Sequence, residues 1–162
     1  MHRATRAERA GHWPEAQAAG AVTLAYDDRH RRRVRLATDE DEEFLLDLPH
    51  AMSLEDGDGL QLDDGRWLGV RAAAESLIEV TAEPTLLARL AWHLGNRHLP
   101  ARIEPHRILI RRDHVIADML SKLGATLRFI DVPFTPERGA YDDRHGHAHE
   151  HAHADAHHHD HD

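Results

Sequence analysis

Residues 84–95 read PTLLARLAWHLG, and this stretch determines the fold class of the second half of the chain. Pro84 suits the first turn of a helix, where the missing backbone N–H costs nothing. Four leucines fall within about 100° of one another at helical pitch, so they predict a helix with one buried stripe. They are Leu86, Leu87, Leu90 and Leu94. Gly95 is expected to supply the left-handed residue that ends this helix.

Strands are predicted on both sides of that helix. Residues 77–81 form an apolar run before it, and a short piece around Ile103 and the run 108–110 follow Pro100. A last strand is predicted for residues 127–132, after which Pro133 and Pro136 end the regular structure.

A second helix is predicted between these later strands, with Asp113 as its N-cap and Gly124 as its closing glycine. Its apolar stripe would consist of Val115, Ile116, Met119, Leu120 and Leu123. The resulting order β-α-β-β-α-β is that of a ferredoxin-like unit. The second half is therefore expected to be an α+β domain.

Short strands separated by turns are predicted for residues 21–74. The candidates are residues 22–26, 32–37, 43–48, 60–62 and 66–72. The Asp-Gly pairs ending at Gly57, Gly59 and Gly65 are expected to supply the positive φ of tight turns. We therefore expect a small all-β domain over residues 1–75, a ferredoxin-like domain over 76–141 and a separate tail over 142–162.

Composition excludes several classes of protein. The chain has 162 residues, a formal charge of -9 and no cysteine. Without cysteine there is no disulfide framework, thiolate zinc site or cysteine nucleophile, so any metal ligands must be nitrogen or oxygen. No apolar run is long enough to cross a membrane and the start lacks a signal peptide, which favours the cytoplasm. Net negative charge argues against non-specific nucleic-acid binding.

Histidine is the anomaly of this composition. Nine of the 17 histidines lie between His145 and His161, in a tail without apolar periodicity that we expect to be disordered. Five of them recur at every second residue, so their imidazoles would project to one side of an extended chain. Imidazole with interspersed carboxylates suits Zn, Cu, Fe and Ni. An expression tag is the weaker alternative, since only His157, His158 and His159 are contiguous.

Residues 149–153, HEHAH, formally match the zinc-peptidase pattern H-E-x-x-H. That motif acts only on a stable helix, where the glutamate serves as general base beside a metal-bound water. In sequence where every second residue is histidine, the match is expected by chance. A hydrolase is therefore the least favoured interpretation.

Two histidines in the body of the chain are candidates. His98 follows Gly95 on a short connection at a helix end, where the helix dipole favours a cation. His114 opens the second helix with Asp118 four residues later, a spacing at which a carboxylate can orient a histidine ligand. For a lone loop histidine and for an exposed helical pair, the pattern alone favours an ordinary surface role. His93 is expected to be half-buried.

An arginine-rich run covers residues 29–35 and would suit nucleic acid. Five consecutive acids at residues 39–43 match its five arginines across or near a predicted hairpin. A solvated strand face is the favoured interpretation.

Three runs together resemble a known family. They are residues 90–100, LAWHLGNRHLP, residues 113–119, DHVIADM, and residues 133–141, PFTPERGAY. With a histidine-rich tail after them, these runs resemble the urease accessory protein UreE family of nickel metallochaperones. The resemblance spans nearly the whole chain.

The resemblance implies an N-terminal domain that binds other proteins and a ferredoxin-like domain that binds metal and forms a homodimer. It also implies that His98 is the central nickel ligand, paired with its twofold mate. Arg112 stands where some members carry a further histidine of a peripheral site, whereas His114 is retained. The candidate metal ligands are His98, His114, His145, His147, His149, His151, His153, His157, His158, His159 and His161.

These observations lead to a functional hypothesis. The protein is expected to bind Ni(II) and deliver it to apo-urease by ligand exchange rather than as an enzyme. Its expected partners are the urease accessory GTPase and the apo-urease accessory complex. Zn(II) and Cu(II) are expected to compete, because nitrogen and oxygen sites do not rank Ni(II) first. The alternative is a nickel or zinc storage protein that acts through its tail.

Overall fold

The computed structural model describes residues 1–138, which form two β-sheets and two α-helices. The first sheet contains β1 (His2–Glu8), β2 (Ala18–Leu24), β3 (His30–Ala37), β4 (Glu43–Ser53), β5 (Gly59–Leu62) and β6 (Trp67–Ala72). Its strand order is β2-β6-β5-β1-β4-β3, and it is mixed because β1 runs parallel to β4 and β2 runs parallel to β6. Two single-turn 3₁₀ helices, Glu15–Gln17 and Tyr26–Asp28, complete this half.

Strand β1 was missed by the sequence analysis. It lies inside the sheet, parallel to β4 and antiparallel to β5, yet Ala4 is its only buried residue. The other side chains of this strand are polar, charged or small and show no apolar alternation. Backbone pairing on both edges therefore places β1, rather than side-chain burial.

The Asp-Gly predictions were correct at two positions and wrong at the third. Gly57 and Gly65 adopt φ of 90° and 89°. Gly59 instead opens β5, and a Cβ atom there would lie 2.4 Å from Cδ2 of Trp13. Glycine is needed at this position because the indole packs directly on the strand backbone.

The second sheet contains β7 (Ala74–Thr81), β8 (Ala101–Ile103), β9 (Ile108–Arg111) and β10 (Thr126–Pro133), in the order β10-β7-β9-β8 with every neighbouring pair antiparallel. Helices α1 (Pro84–Asn96) and α2 (His114–Lys122) follow β7 and β9. The predicted apolar stripe of α1 is buried at Leu87, Leu90 and Leu94. In α2 the stripe is narrower than predicted, because Val115 is exposed and only Ile116 and Leu120 are buried.

Both predicted helix starts are confirmed. Pro84 occupies the first turn of α1, and Glu83 before it accepts hydrogen bonds from the backbone N–H groups of Thr85 and Leu86. Asp113 caps α2 by accepting from Val115 N at 2.9 Å and Ile116 N at 3.1 Å. These caps satisfy N–H groups that the first turn of a helix leaves unpaired.

The two sheets meet around Phe134, which is fully buried. Its ring contacts Tyr26 edge-to-face at a centroid distance of 5.5 Å and belongs to a small core with Leu77 and Leu109. Nearby, Tyr26 N donates to Glu75 Oε2 at 3.0 Å. Residues that follow the last strand thus join the two halves of the protein.

The arginine-rich run divides into two parts. The arginines of β3 are exposed, as expected for a solvated strand face, and Arg33 lies 3.9 Å from Asp47 on β4. Arg29, before the strand, is only 2 % exposed. The expected match with the acids at residues 39–43 was wrong: Glu42 pairs with Arg66 at 2.8 Å and Asp39 lies 3.8 Å from Arg71.

Replacing Glu79 on β7 would test how much its ion pairs stabilise the second sheet. Its carboxylate accepts from Arg107 at 2.8 Å and from Arg128 at 3.2 Å, and the hydrogen bond from Arg107 is the main cause that lowers the pKa of Glu79 below 4.5. A lowered carboxyl pKa stabilises the fold above the unfolded pKa, and the effect is lost as pH falls through the folded value. At pH 7, Glu79→Gln is expected to lower Tm by about 3 °C.

Thermal unfolding of wild type and Glu79→Gln across a pH series measures this effect. The difference in Tm should shrink as pH falls below 4.5. Glu40→Gln, at an exposed position, serves as the control with no such dependence. A difference in Tm between wild type and Glu79→Gln that stays constant with pH would contradict the ion-pair explanation.

Within the described residues, neither helix is long and apolar enough to span a bilayer.

Candidate metal centre

His98 lies on the connection between α1 and β8, and the end of α1 determines its position. His98 N donates to Gly95 O at 3.0 Å, and Leu99 N donates to Leu94 O at 3.3 Å. These two hydrogen bonds form a Schellman motif, in which the residue after the C-cap is left-handed. Here the C-cap is Arg97, and the left-handed residue is His98, with φ 54°.

The prediction that Gly95 closes α1 in the left-handed conformation was therefore wrong. The helix continues through Asn96, and the histidine itself takes the conformation that glycine usually supplies. A left-handed backbone costs a residue with a Cβ about 1 kcal/mol. Such conformations cluster at functional sites, where the surrounding structure maintains them. The conformation adds structural support to the choice of His98 as a candidate ligand.

The imidazole of His98 is available for coordination. The side chain is exposed, and within residues 1–138 it has no hydrogen bond or ion pair. It projects from the C-terminal end of a 13-residue helix, where the dipole carries about half a negative elementary charge and favours a cation. One imidazole cannot hold an ion tightly, so any tight site needs ligands from elsewhere.

His114 occupies a less favourable position. It is exposed and is the first residue of α2, where the positive end of the helix dipole disfavours a bound cation. Asp118, which the spacing would allow to orient His114, instead pairs with Lys122 at 2.8 Å. The role of His114 as a metal ligand stays a prediction.

A small cavity lies beside both histidines. It has a volume of about 160 Å³ and is lined by Leu99 and Pro100 from the His98 connection and by Arg112 and Asp113 before His114. The fold thus brings the connection after α1 next to the start of α2. The two candidates flank one region of the surface although 16 positions separate them in the sequence.

The remaining candidate ligands lie outside the described residues. They are His145, His147, His149, His151, His153, His157, His158, His159 and His161. Their role in metal binding stays a prediction from composition.

A different cluster of ligand types was missed by the sequence analysis. His2 on β1 meets Asp63 and Asp64 from the turn between β5 and β6, with ligand atoms within 4.8 Å of one another. The distances are 2.9 Å from Nδ1 of His2 to Asp63 and 3.5 Å from Nε2 to Asp64. Only the pairing of β1 with β5 brings these residues together, so no local signal could have found them.

The side chains of this cluster already form hydrogen bonds, His2 with Asp63 and Arg66 with Asp64. The bond with His2 is the main cause that lowers the pKa of Asp63, and the bond from Arg66 is the main cause that lowers the pKa of Asp64. Both carboxylates are therefore ionised at neutral pH. Because each ring nitrogen of His2 faces a carboxylate, the geometry suits an ion pair, and a metal ion would have to displace one of these contacts.

Family comparisons agree with the arrangement of the two halves. Residues 2–73 match the family model described as "UreE urease accessory protein, N-terminal domain", and residues 75–161 match "UreE urease accessory protein, C-terminal domain". The boundary between the matches falls between β6 and β7, where the first sheet ends and the second begins.

Several similar proteins are named urease accessory protein UreE. One from Ruegeria pomeroyi is 59 % identical over 133 residues, which cover 82 % of this chain and 87 % of that protein. One from Bradyrhizobium sp. (strain ORS 278) is 54 % identical over 142 residues, 87 % of this chain and 67 % of the relative. A third, from Agrobacterium fabrum, is 52 % identical over 134 residues, 82 % and 83 % of the two chains. The chain belongs to the UreE family of urease accessory proteins.

Proposed function

We propose that the protein binds Ni(II) and delivers it to apo-urease during urease maturation. The observation that carries this proposal is the exposed, left-handed His98 at the end of α1, in a chain that belongs to a family of urease accessory proteins. An exposed imidazole that forms no hydrogen bond or ion pair with residues 1–138 suits an ion that must later be released. The protein would exchange ligands around the ion and make or break no covalent bond of a substrate.

The metal site would be completed by a second copy of the chain. A residue near a twofold axis supplies two ligands, so one His98 from each protomer would give a shared, coordinatively incomplete site. Four large apolar side chains between residues 75 and 138 are exposed by half or more, which supports an interface in this half. They are Trp92, Ile103, Val115 and Phe129. The homodimer is part of the proposal.

We assign the three parts of the chain different roles. Residues 1–75 would bind other proteins, residues 76–141 would bind metal and dimerise, and residues 142–162 would capture ions. The strand order β10-β7-β9-β8, with one helix after β7 and one after β9, supports a ferredoxin-like assignment for the middle part. The partners of the protein would be the urease accessory GTPase and the apo-urease accessory complex, and the protein would act in the cytoplasm.

Protons and other metal ions would compete with nickel for the imidazole ligands. Imidazole coordinates only when neutral, so acidification weakens nickel binding. Zn(II) and Cu(II) would compete at the same nitrogen ligands, because affinity of such sites for divalent ions does not favour nickel over copper. Selectivity would then come from geometry and from which ions are available.

Removing the tail separates delivery from storage. A chain ending at Tyr141 is expected to bind several-fold fewer Ni(II) ions, yet to retain at least part of urease activation when nickel is adequate. The site built on His98 would remain, whereas the capacity of nine tail histidines would be lost. The measurements are nickel stoichiometry by calorimetry and urease activity in cells across a nickel series.

The storage alternative predicts a different outcome. If the tail is the functional part, truncation should remove most of the nickel-dependent phenotype at every nickel concentration. Replacing His98 in the full chain provides the reciprocal control: under the delivery proposal it should impair urease activation while the tail retains its capacity. Delivery through His98 would be contradicted if truncation abolished urease activation while replacement of His98 left activation intact.

A further inference from the structure

A second candidate site lies far from His98 in the sequence, at the junction of the two sheets. A cavity of about 390 Å³ opens between the first sheet and the segment that follows β10. Its lining includes Tyr26, Arg29 and Met52 from the first half and Pro136 from the second. The nickel-delivery proposal does not use this cavity.

Within the described part of the chain, Arg29 is a buried charge at this cavity without an ion-pair partner. The side chain is 2 % exposed, and one of its N–H groups donates to Phe134 O. Nε is buried and has no hydrogen-bond partner among the residues that the structure describes, and the guanidinium carbon lies 5.8 Å from the centroid of the Tyr26 ring. Among residues 1–138, no carboxylate lies within ion-pair distance of Arg29.

The other charged groups at the cavity compensate one another. Arg9 pairs with Asp58 at 2.7 Å, and Arg138 forms an ion pair with Glu55. Glu137 accepts a hydrogen bond from Ile103 N and lies 3.7 Å from Arg102. Counting only residues 1–138, the uncompensated positive charge of the lining is therefore the one on Arg29.

Buried arginines are normally paired, because removing a guanidinium from water is strongly unfavourable without a counter-charge. A carboxylate is the natural complement, since its two oxygens match the planar fork of a guanidinium. Tyr26, Met52 and Pro136 add apolar surface that suits the carbon skeleton of a small organic acid. We propose that this cavity binds a carboxylate through Arg29.

The carboxylate has two possible sources, and they share this chemistry. One is a small acid free in solution. The other is the acidic segment of the chain itself, because Asp142 and Asp143 follow Arg138 at the cavity by four and five residues. An extended chain covers about 3.5 Å per residue, so these side chains are within reach of the cavity.

Calorimetry and thermal unfolding of the full chain with succinate test the proposal, with sodium chloride at equal ionic strength as the reference. If the carboxylate comes from solution, wild type is expected to bind one succinate per chain, with a Tm rise of about 5 °C near 100 times Kd. Arg29→Met should abolish both effects, and Arg29→Lys should weaken binding about tenfold because lysine lacks the fork. Arg35→Met, at an exposed position of β3, should bind like wild type.

Replacing both Asp142 and Asp143 by asparagine in the full chain distinguishes the two sources. If the chain supplies its own carboxylate, wild type should ignore succinate, the double asparagine variant should bind it, and adding Arg29→Met should remove that binding. If succinate binds neither form, the proposal is overturned. Equal binding by wild type, Arg29→Met and Arg29→Lys would also overturn it, and would leave Arg29 as a structural contact to Phe134.

Discussion

Replacing His98 by glycine is expected to abolish tight Ni(II) binding without loss of stability. Affinity should fall by at least about 100-fold, because loss of a ligand exceeds the 10- to 100-fold effect of losing a group that only orients one. The backbone at His98 has φ 54°, which glycine adopts freely, so the closing turn of α1 should form at least as well. The expected gain in the free energy of unfolding is about 1 kcal/mol.

Calorimetric nickel titration and thermal unfolding of a chain ending at Tyr141 measure the two effects together. Ending the chain there removes the tail histidines, which would otherwise mask a change at one site. His106→Gly, in the exposed turn before β9, is the matched control and should leave nickel binding unchanged. A tight site that persists in His98→Gly would sink the shared-histidine proposal, because an unfolded variant could not explain that result.

Replacing Phe134 by alanine is expected to cause the largest loss of stability. The ring is fully buried with Leu77 and Leu109 and contacts Tyr26 edge-to-face. Truncation of a buried phenylalanine costs about 3–5 kcal/mol, since it removes transfer free energy and leaves a cavity. Because Phe134 joins the two sheets, the loss should affect the cooperativity of the whole unfolding transition.

Urea denaturation followed by far-UV circular dichroism measures this change. Arg35→Ala on β3 is the control: that side chain is exposed and lies outside the proposed dimer interface, so its removal should cost less than about 1 kcal/mol. Similar losses in the two variants would show that the contact around Phe134 does not hold the sheets together. A lower slope with denaturant would indicate that the two halves unfold separately.

Local signals predicted most of the second half. Apolar periodicity located both helices, and Glu83-Pro84 and Asp113 behave as helix starts. The strand at residues 127–132 is one residue longer at each end, as Thr126–Pro133. These features depend on neighbours within one or two turns of the chain, which is why the sequence reveals them without a fold.

The candidate site was predicted less completely. The sequence placed His98 on a short connection at a helix end, as the structure has it, but the left-handed conformation was assigned to Gly95. The role of His98 as a metal ligand stays a prediction. Glycine is the usual residue at that position, so propensity pointed three residues too early. The hydrogen bonds from His98 N and Leu99 N to carbonyl groups of α1 determine which residue is left-handed. These bonds can be assigned only when the full extent of the helix is known.

By itself the sequence determined the helices of the second half, the histidine-rich tail and the family resemblance, because periodicity, composition and short motifs are local properties. Only the tertiary structure decided that β1 lies inside a sheet, that Arg29 and Phe134 are buried together and that His2 meets Asp63. The physical reason is distance along the chain. A contact between residues 29 and 134 depends on how two sheets pack, and no pattern within either segment encodes that packing.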